Sequence, residues 1–148
     1  MKLCIVLDMS GSMAEGGKFL IALTALKTIE QYFWINQVDI EVDLFAVNDG
    51  VEQVSWEDFR QVCKGLRGSF CLKPFLQSGA HKSANKLLII SDCCWSSDNR
   101  RAFKSLTVSK GKMFAWGLIV GSEADLSCRA PDFESAENVL ALLESWLH

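Results

Sequence analysis

The chain has 148 residues, 49% of them hydrophobic, which is enough for one domain with a substantial core and argues against a disordered polypeptide. Its formal net charge of −3 excludes a global electrostatic pull toward nucleic acid or an anionic membrane, so binding must come from a local site. No apolar run approaches the roughly 20 residues that a membrane-spanning helix needs, and a soluble single domain over residues 1–148 is expected.

The run Leu3–Leu7 begins like a secretory leader, but Asp8 interrupts it after five apolar residues and no small-residue cleavage site follows. It reads as a first strand over Lys2–Leu7. The segment Leu7-Asp8-Met9-Ser10-Gly11-Ser12-Met13 then forms an Asp-x-Ser-Gly-Ser loop, and Gly16-Gly17 separates it from a helix over Lys18–Phe33. That helix carries Phe19, Ala22, Leu23, Leu26, Ile29 and Phe33 on one face. Val38, Ile40, Val42 and Leu44 alternate with acidic residues as a strand, and Asn48-Asp49-Gly50 predicts a hairpin turn into Val51–Val54.

Glu57–Leu66 reads as a short helix and Gly65–Gly68 as a loop. Pro74 opens a helix that runs toward Asn85. Leu87–Ile90 is a continuous apolar run, as in a strand covered on both faces, and it ends at Ser91-Asp92. Asn99–Ser109 predicts a helix, Met113–Val120 a strand closed by Gly121, Leu126–Cys128 a short strand, and Glu134–Leu147 a final helix. Strands alternating with helices, plus one hairpin, give a doubly wound α/β fold: a mostly parallel sheet with one antiparallel edge strand and helices on both faces.

In such a fold Asp8 and Asp92, each at the end of an apolar strand, emerge on the same rim of the sheet. Ser10 and Ser12 add hydroxyls beside Asp8, and Arg67-Gly68-Ser69 supplies a further loop hydroxyl, with Ser96 and Ser97 as alternatives. Oxygen donors without nitrogen or sulfur suit Mg²⁺ or Mn²⁺. The same residue types also serve as ordinary turn and helix-capping residues, and that reading stands beside the metal one.

Asp8-x-Ser10-Gly11-Ser12, then a Gly-Ser loop, then a strand ending in Asp92, resembles the metal-ion-dependent adhesion site of von Willebrand factor A domains, and the resemblance runs over essentially the whole chain. It implies Ser10 and Ser12 as direct metal ligands, Asp8 and Asp92 as charged supports, and Ser69 in the place of a threonine ligand. Two departures are Gly68-Ser69 where the family has Gly-Thr, and Asp92-Cys93 where it has Asp-Gly. Further implications are a Rossmann-like fold and a protein-interaction module whose Mg²⁺ or Mn²⁺ captures an Asp or Glu carboxylate of a protein partner. Family members of the stand-alone intracellular type often work beside AAA+ ATPases or in stress and defence systems. Trp95, three residues after Asp92, is expected on the partner-binding rim, since tryptophan is enriched at interface hot spots.

Two other readings stay open. One is a Mg²⁺-dependent phosphotransfer enzyme of haloacid-dehalogenase type, although Ser10 stands where its second aspartate would be and no placed base makes Ser10 a nucleophile. The other is a structural subunit with a vestigial metal site. A non-enzymatic module is the preferred expectation. The six cysteines lack zinc-site spacing and point to a reducing cytoplasm, with Cys93-Cys94 read as plain thiols. Arg100, Arg101, Lys104, Lys110 and Lys112 read as a solvated helix face, so no nucleic acid and no membrane partner is expected. Trp34, Trp56, Trp116 and Trp146 are read as packing in the core or capping it, and neither His81 nor His148 has a metal-ligand spacing.

Overall fold

Side chains alternate across a strand, so a strand buried throughout must serve two cores at once. In the computed structural model, which describes residues 1–58, 65–111, 113–121 and 132–147, β1 (Lys2–Asp8) does so. Leu3, Ile5 and Leu7 enter one core, while Cys4 and Val6 enter the other. β4 (Lys86–Ser91) repeats the pattern, with Leu88 and Ile90 on the first side and Leu87 and Ile89 on the second.

The first core is closed by α1 (Lys18–Ile35), through Ala22, Leu26 and Ile29, and by α4 (Val139–Trp146), through Leu142, Leu143 and Trp146. The second is closed by α2 (Leu72–Ser78) and α3 (Ser97–Lys110), through Leu72, Phe75, Phe103 and Leu106. With β2 (Glu41–Val47), β3 (Val51–Val54), β5 (Ala115–Ile119) and β6 (Phe133–Ser135), the six strands are ordered β3-β2-β1-β4-β5-β6. Only β3 runs antiparallel, paired to β2 through the Asn48–Gly50 turn. The other pairs are parallel.

This is the doubly wound α/β architecture anticipated from the strand and helix alternation. Strand order reverses between β1 and β4, and at such a reversal the loops leaving the two strands diverge and open a crevice at their carboxyl ends. Asp8 closes β1 and Asp92 follows β4 at that crevice.

Several elements differ from the sequence expectation. The single helix expected from Pro74 to Asn85 breaks at Gly79, which adopts φ 74°, so that α2 ends at Ser78 and a separate 3-10 turn covers Ala80–Ser83. The final helix does not begin at Glu134. Phe133–Ser135 instead pairs with β5, a 3-10 turn follows over Ala136–Asn138, and the helix starts at Val139. Gly117, whose missing side chain leaves space for the Phe133 ring, permits this pairing at the sheet edge. β2 begins at Glu41 rather than Val38, because parallel pairing to β1 starts at Lys2↔Glu41.

Trp34 is 81% exposed, contrary to the expectation that it packs in the core or caps it, whereas Trp146 is buried and Trp56 and Trp116 are half-buried. Most of the helix expected over 57–66 and the strand expected over 126–128 lie outside the described residues. Among the described residues no helix is long and apolar enough to cross a membrane.

A Cβ at Gly117 would fall 2.3 Å from the Phe133 ring, inside a cluster that also holds Trp95 and Phe103. Gly117→Ala is therefore expected to destabilise the fold by about 1–3 kcal/mol through overpacking, read as a lower urea midpoint with an unchanged slope.

Candidate metal centre

Asp8 is 1% exposed, so its carboxylate needs partners from the protein. Oδ1 accepts the Ser10 backbone N–H at 2.8 Å and Oδ2 accepts the Ser91 hydroxyl at 2.5 Å. Burial pushes the Asp8 carboxyl above its ordinary range, the hydrogen bonds from Ser10 and Ser91 pull it back, and the charge of Asp92 adds to the upward push. Asp8 closes β1 and Asp92 follows the adjacent parallel strand β4, so the two carboxylates lie on one rim.

Beyond Asp8 the chain turns through Gly11–Ala14 as one 3-10 turn, anchored in the core by the fully buried Met13. Ser10 precedes this turn in extended conformation, and its Oγ lies 3.1 Å from Ser12 Oγ. The loop carrying Ser69 is stitched to the first by backbone bonds, Gly11 N–H to Gly68 O at 3.0 Å and Arg67 N–H to Met9 O at 3.1 Å. Asp49, at the hairpin tip, accepts the Ser69 N–H through Oδ1 at 3.2 Å. Gly68 adopts φ 69°, and a Cβ there would sit 2.3 Å from Asp49 Oδ2. The positive φ favours glycine, and a Cβ would displace the Asp49 carboxylate from the Ser69 N–H.

The third loop leaves β4. Ser91 Oγ donates to Asp8 and accepts both the Cys93 N–H and the Trp95 indole N–H at 2.9 Å, so one hydroxyl ties the ends of β1 and β4 together. Asp92 is 1% exposed; its Oδ1 accepts the Cys94 N–H at 3.2 Å, and its Oδ2 lies 3.2 Å from the Lys18 ammonium. Cys93 takes φ 58°, a left-handed conformation that glycine adopts without strain, at the position where the resembled motif has glycine. Asn99, buried in α3, accepts the Leu72 N–H and donates to Phe70 O, locking the start of α2 to α3.

Trp95 is not on the rim. It is 4% exposed, stacked on Phe70 at 5.7 Å and packed against Phe103 and Phe133, so it holds the Asp92–Ser96 loop from beneath and offers no contact surface. Ser10, Ser12 and Ser69 instead line a cleft of about 1050 Å³, with Phe70, Lys73 and Cys94 also on its walls. Ser96 caps α3 through the Asn99 N–H. The basic residues of α3 are exposed, as a solvated face requires, with Arg100 donating to Trp95 O.

Lys18, Asp49, Ser91 and Asn99 were not singled out as site residues in the sequence. Asp49 read only as a turn residue and Lys18 only as the start of a helix. Ser91, immediately before Asp92 at a strand end, carried the one local signal.

Among the described residues no three His, Cys, Asp or Glu side chains group as a metal site, so a cation here would rest on hydroxyls supported by charge. The spacing fits one. Two neighbouring ligands of octahedral Mg²⁺, each about 2.0–2.1 Å from the ion, stand about 3 Å apart, close to the 3.1 Å between Ser10 Oγ and Ser12 Oγ.

No family model and no curated protein matches the sequence. Solved structures do match the fold. Proximal thread matrix protein 1 from the mussel byssus superposes with TM-score 0.62 at 10% identity, over 99% of this chain and 44% of its own. Manganese-loaded TRAP protein from Plasmodium vivax gives TM-score 0.59 at 12% identity, over 99% of this chain and 73% of its own. The fold is that of the von Willebrand factor A domain. An aerotolerance-related membrane protein of Bacteroides fragilis shares this A-domain fold at TM-score 0.51 and 14% identity, over 82% of this chain and 68% of its own. A further crystal of the mussel protein, at TM-score 0.56 and 9% identity, is described as having a zinc-occupied MIDAS motif. The present chain spans less than half of that mussel protein.

Ser91→Ala removes the charge-assisted bond to buried Asp8 and is expected to lower stability by about 1.5–3 kcal/mol, measured by urea unfolding in EDTA.

Proposed function

We propose that this A-domain is a metal-dependent protein-interaction module in which Ser10, Ser12 and Ser69 hold Mg²⁺ or Mn²⁺ and Asp8 and Asp92 act as charged supports behind them. The observation that carries this reading is the pair of serine hydroxyls 3.1 Å apart, set on a buried, hydrogen-bonded aspartate at the sheet's switch point. Such a cation, when bound, offers a coordination position to an outside carboxylate. Neutral hydroxyl ligands leave much of the ion's charge uncompensated, which favours an Asp or Glu on a protein partner seated in the adjoining cleft.

The reading is non-enzymatic. Ser10 occupies the place of the second aspartate of a haloacid-dehalogenase-type site, and a serine there supplies no second carboxylate for acid–base work. Components of a multiprotein system, an AAA+ ATPase among them, are the proposed partner class, and the cysteine usage of the sequence supports a cytoplasmic setting. A structural subunit with a vestigial site is the second reading, favoured by the ion pair that already neutralises Asp92.

Titration with Mn²⁺ followed by water-proton relaxation separates the two. The module reading expects saturable binding that Ser10→Ala and Ser12→Ala each weaken at least about tenfold, the equivalent of one lost ligand bond of about 1.4 kcal/mol. It also expects affinity capture from the native cell in Mg²⁺ to lose its partner in EDTA. Absence of saturable binding contradicts the module and leaves the vestigial reading.

A further inference from the structure

Among the described residues, the buried acidic or basic side chains at the strand ends are Asp8, Asp92 and Lys18. Lys18 is the first residue of α1, follows Gly17 in left-handed conformation, and is 5% exposed. The amino end of a helix of 18 residues is an unfavourable place for a cation, and the first turn of α1 carries no acidic residue to offset it. The side chain nevertheless turns inward. Its stem lies along Gly121, where a Cβ would fall 3.3 Å from Lys18 Cγ and 3.4 Å from Cε, and its ammonium reaches Asp92 Oδ2 at 3.2 Å.

We infer that Lys18 sets the metal affinity of this site: its ammonium, lodged on Asp92, competes with a divalent cation for that carboxylate and keeps the cation weakly held. The inference rests on the metal reading of the preceding subsection. Asp8, Asp92 and Lys18 together carry one net negative charge, so a divalent cation leaves the group net positive by one. Without Lys18 the two carboxylates would balance the cation. Lys18 therefore trades retention of the ion for a residual positive charge on this buried group, behind the serines that line the cleft. In the metal-free protein the same ammonium replaces the missing cation at Asp92 and keeps its buried charge paired.

Lys18→Met retains the stem over Gly121 and removes the charge. Measured by water-proton relaxation with Mn²⁺ as the probe, the variant is expected to bind at least about fivefold more tightly than the parent. Its thermal midpoint is expected to fall in EDTA and to recover on adding Mn²⁺, and Lys18→Met/Asp92→Asn is expected to recover the EDTA midpoint while losing the gain in affinity. Equal or weaker Mn²⁺ binding by Lys18→Met overturns the inference while leaving the metal reading intact. Saturable binding by neither protein overturns both. A second measurement needs no variant: in the parent protein, Mg²⁺ is expected to shift the Lys18 ¹⁵Nζ and Asp92 ¹³Cγ resonances with one common midpoint. Resonances that stay fixed at saturating Mg²⁺ overturn the competition.

Discussion

The hydrogen bond from Ser91 to Asp8 is the contact on which the rest of the site depends. It joins the carboxyl ends of two adjacent parallel strands at the place where the sheet changes direction, and it does so in the interior, where an unpartnered carboxylate would be costly. The same Ser91 oxygen receives the Cys93 and Trp95 N–H groups, so the loop after β4 takes its path from the bond that anchors Asp8. Asp8 in turn receives the Ser10 N–H and thereby directs Ser10 and Ser12 toward the cleft.

Around that centre the molecule uses apolar packing to hold polar groups still. Trp95 is the clearest case, buried among Phe70, Phe103 and Phe133 while its indole nitrogen serves Ser91. Gly117 makes room for Phe133, so a glycine inside β5 reaches the site through two aromatic contacts. Asp49 and Asn99 act the same way through the backbone, one fixing the Gly68-Ser69 loop and the other the start of α2. The three loops are thus positioned by bonds within and between them.

Much of this was legible in the chain itself, and the reasons are physical. A parallel strand buried on both faces must be a continuous apolar run, so Leu3–Leu7 and Leu87–Ile90 declare themselves and place Asp8 and Asp92 at their ends. The hydroxyl pair follows from its short spacing to Asp8. What stayed hidden depends on contacts distant in sequence. Lys18 meets Asp92 across 74 residues and Asp49 meets Ser69 across 20, and nothing in a helix start or a turn tip announces either partner. Trp95 was misplaced because its proximity to Asp92 is equally compatible with facing outward or inward, and the aromatic residues that settle it lie on other elements. Glu134 and Ser135 read as helix because their strand pairing sits beside a vacancy at Gly117 that the sequence does not announce.

The central claim is that oxygen atoms from these loops hold a divalent cation, and the most direct measurement is anomalous scattering from a crystal grown in Mn²⁺. The account predicts one strong manganese peak at the cleft, within about 2.2 Å of both Ser10 Oγ and Ser12 Oγ, and within hydrogen-bonding reach, through water, of the Asp8 and Asp92 carboxylates. A crystal saturated with Mn²⁺ that shows no peak there, or shows the ion held elsewhere with the two serine hydroxyls still bonded to each other, would contradict it.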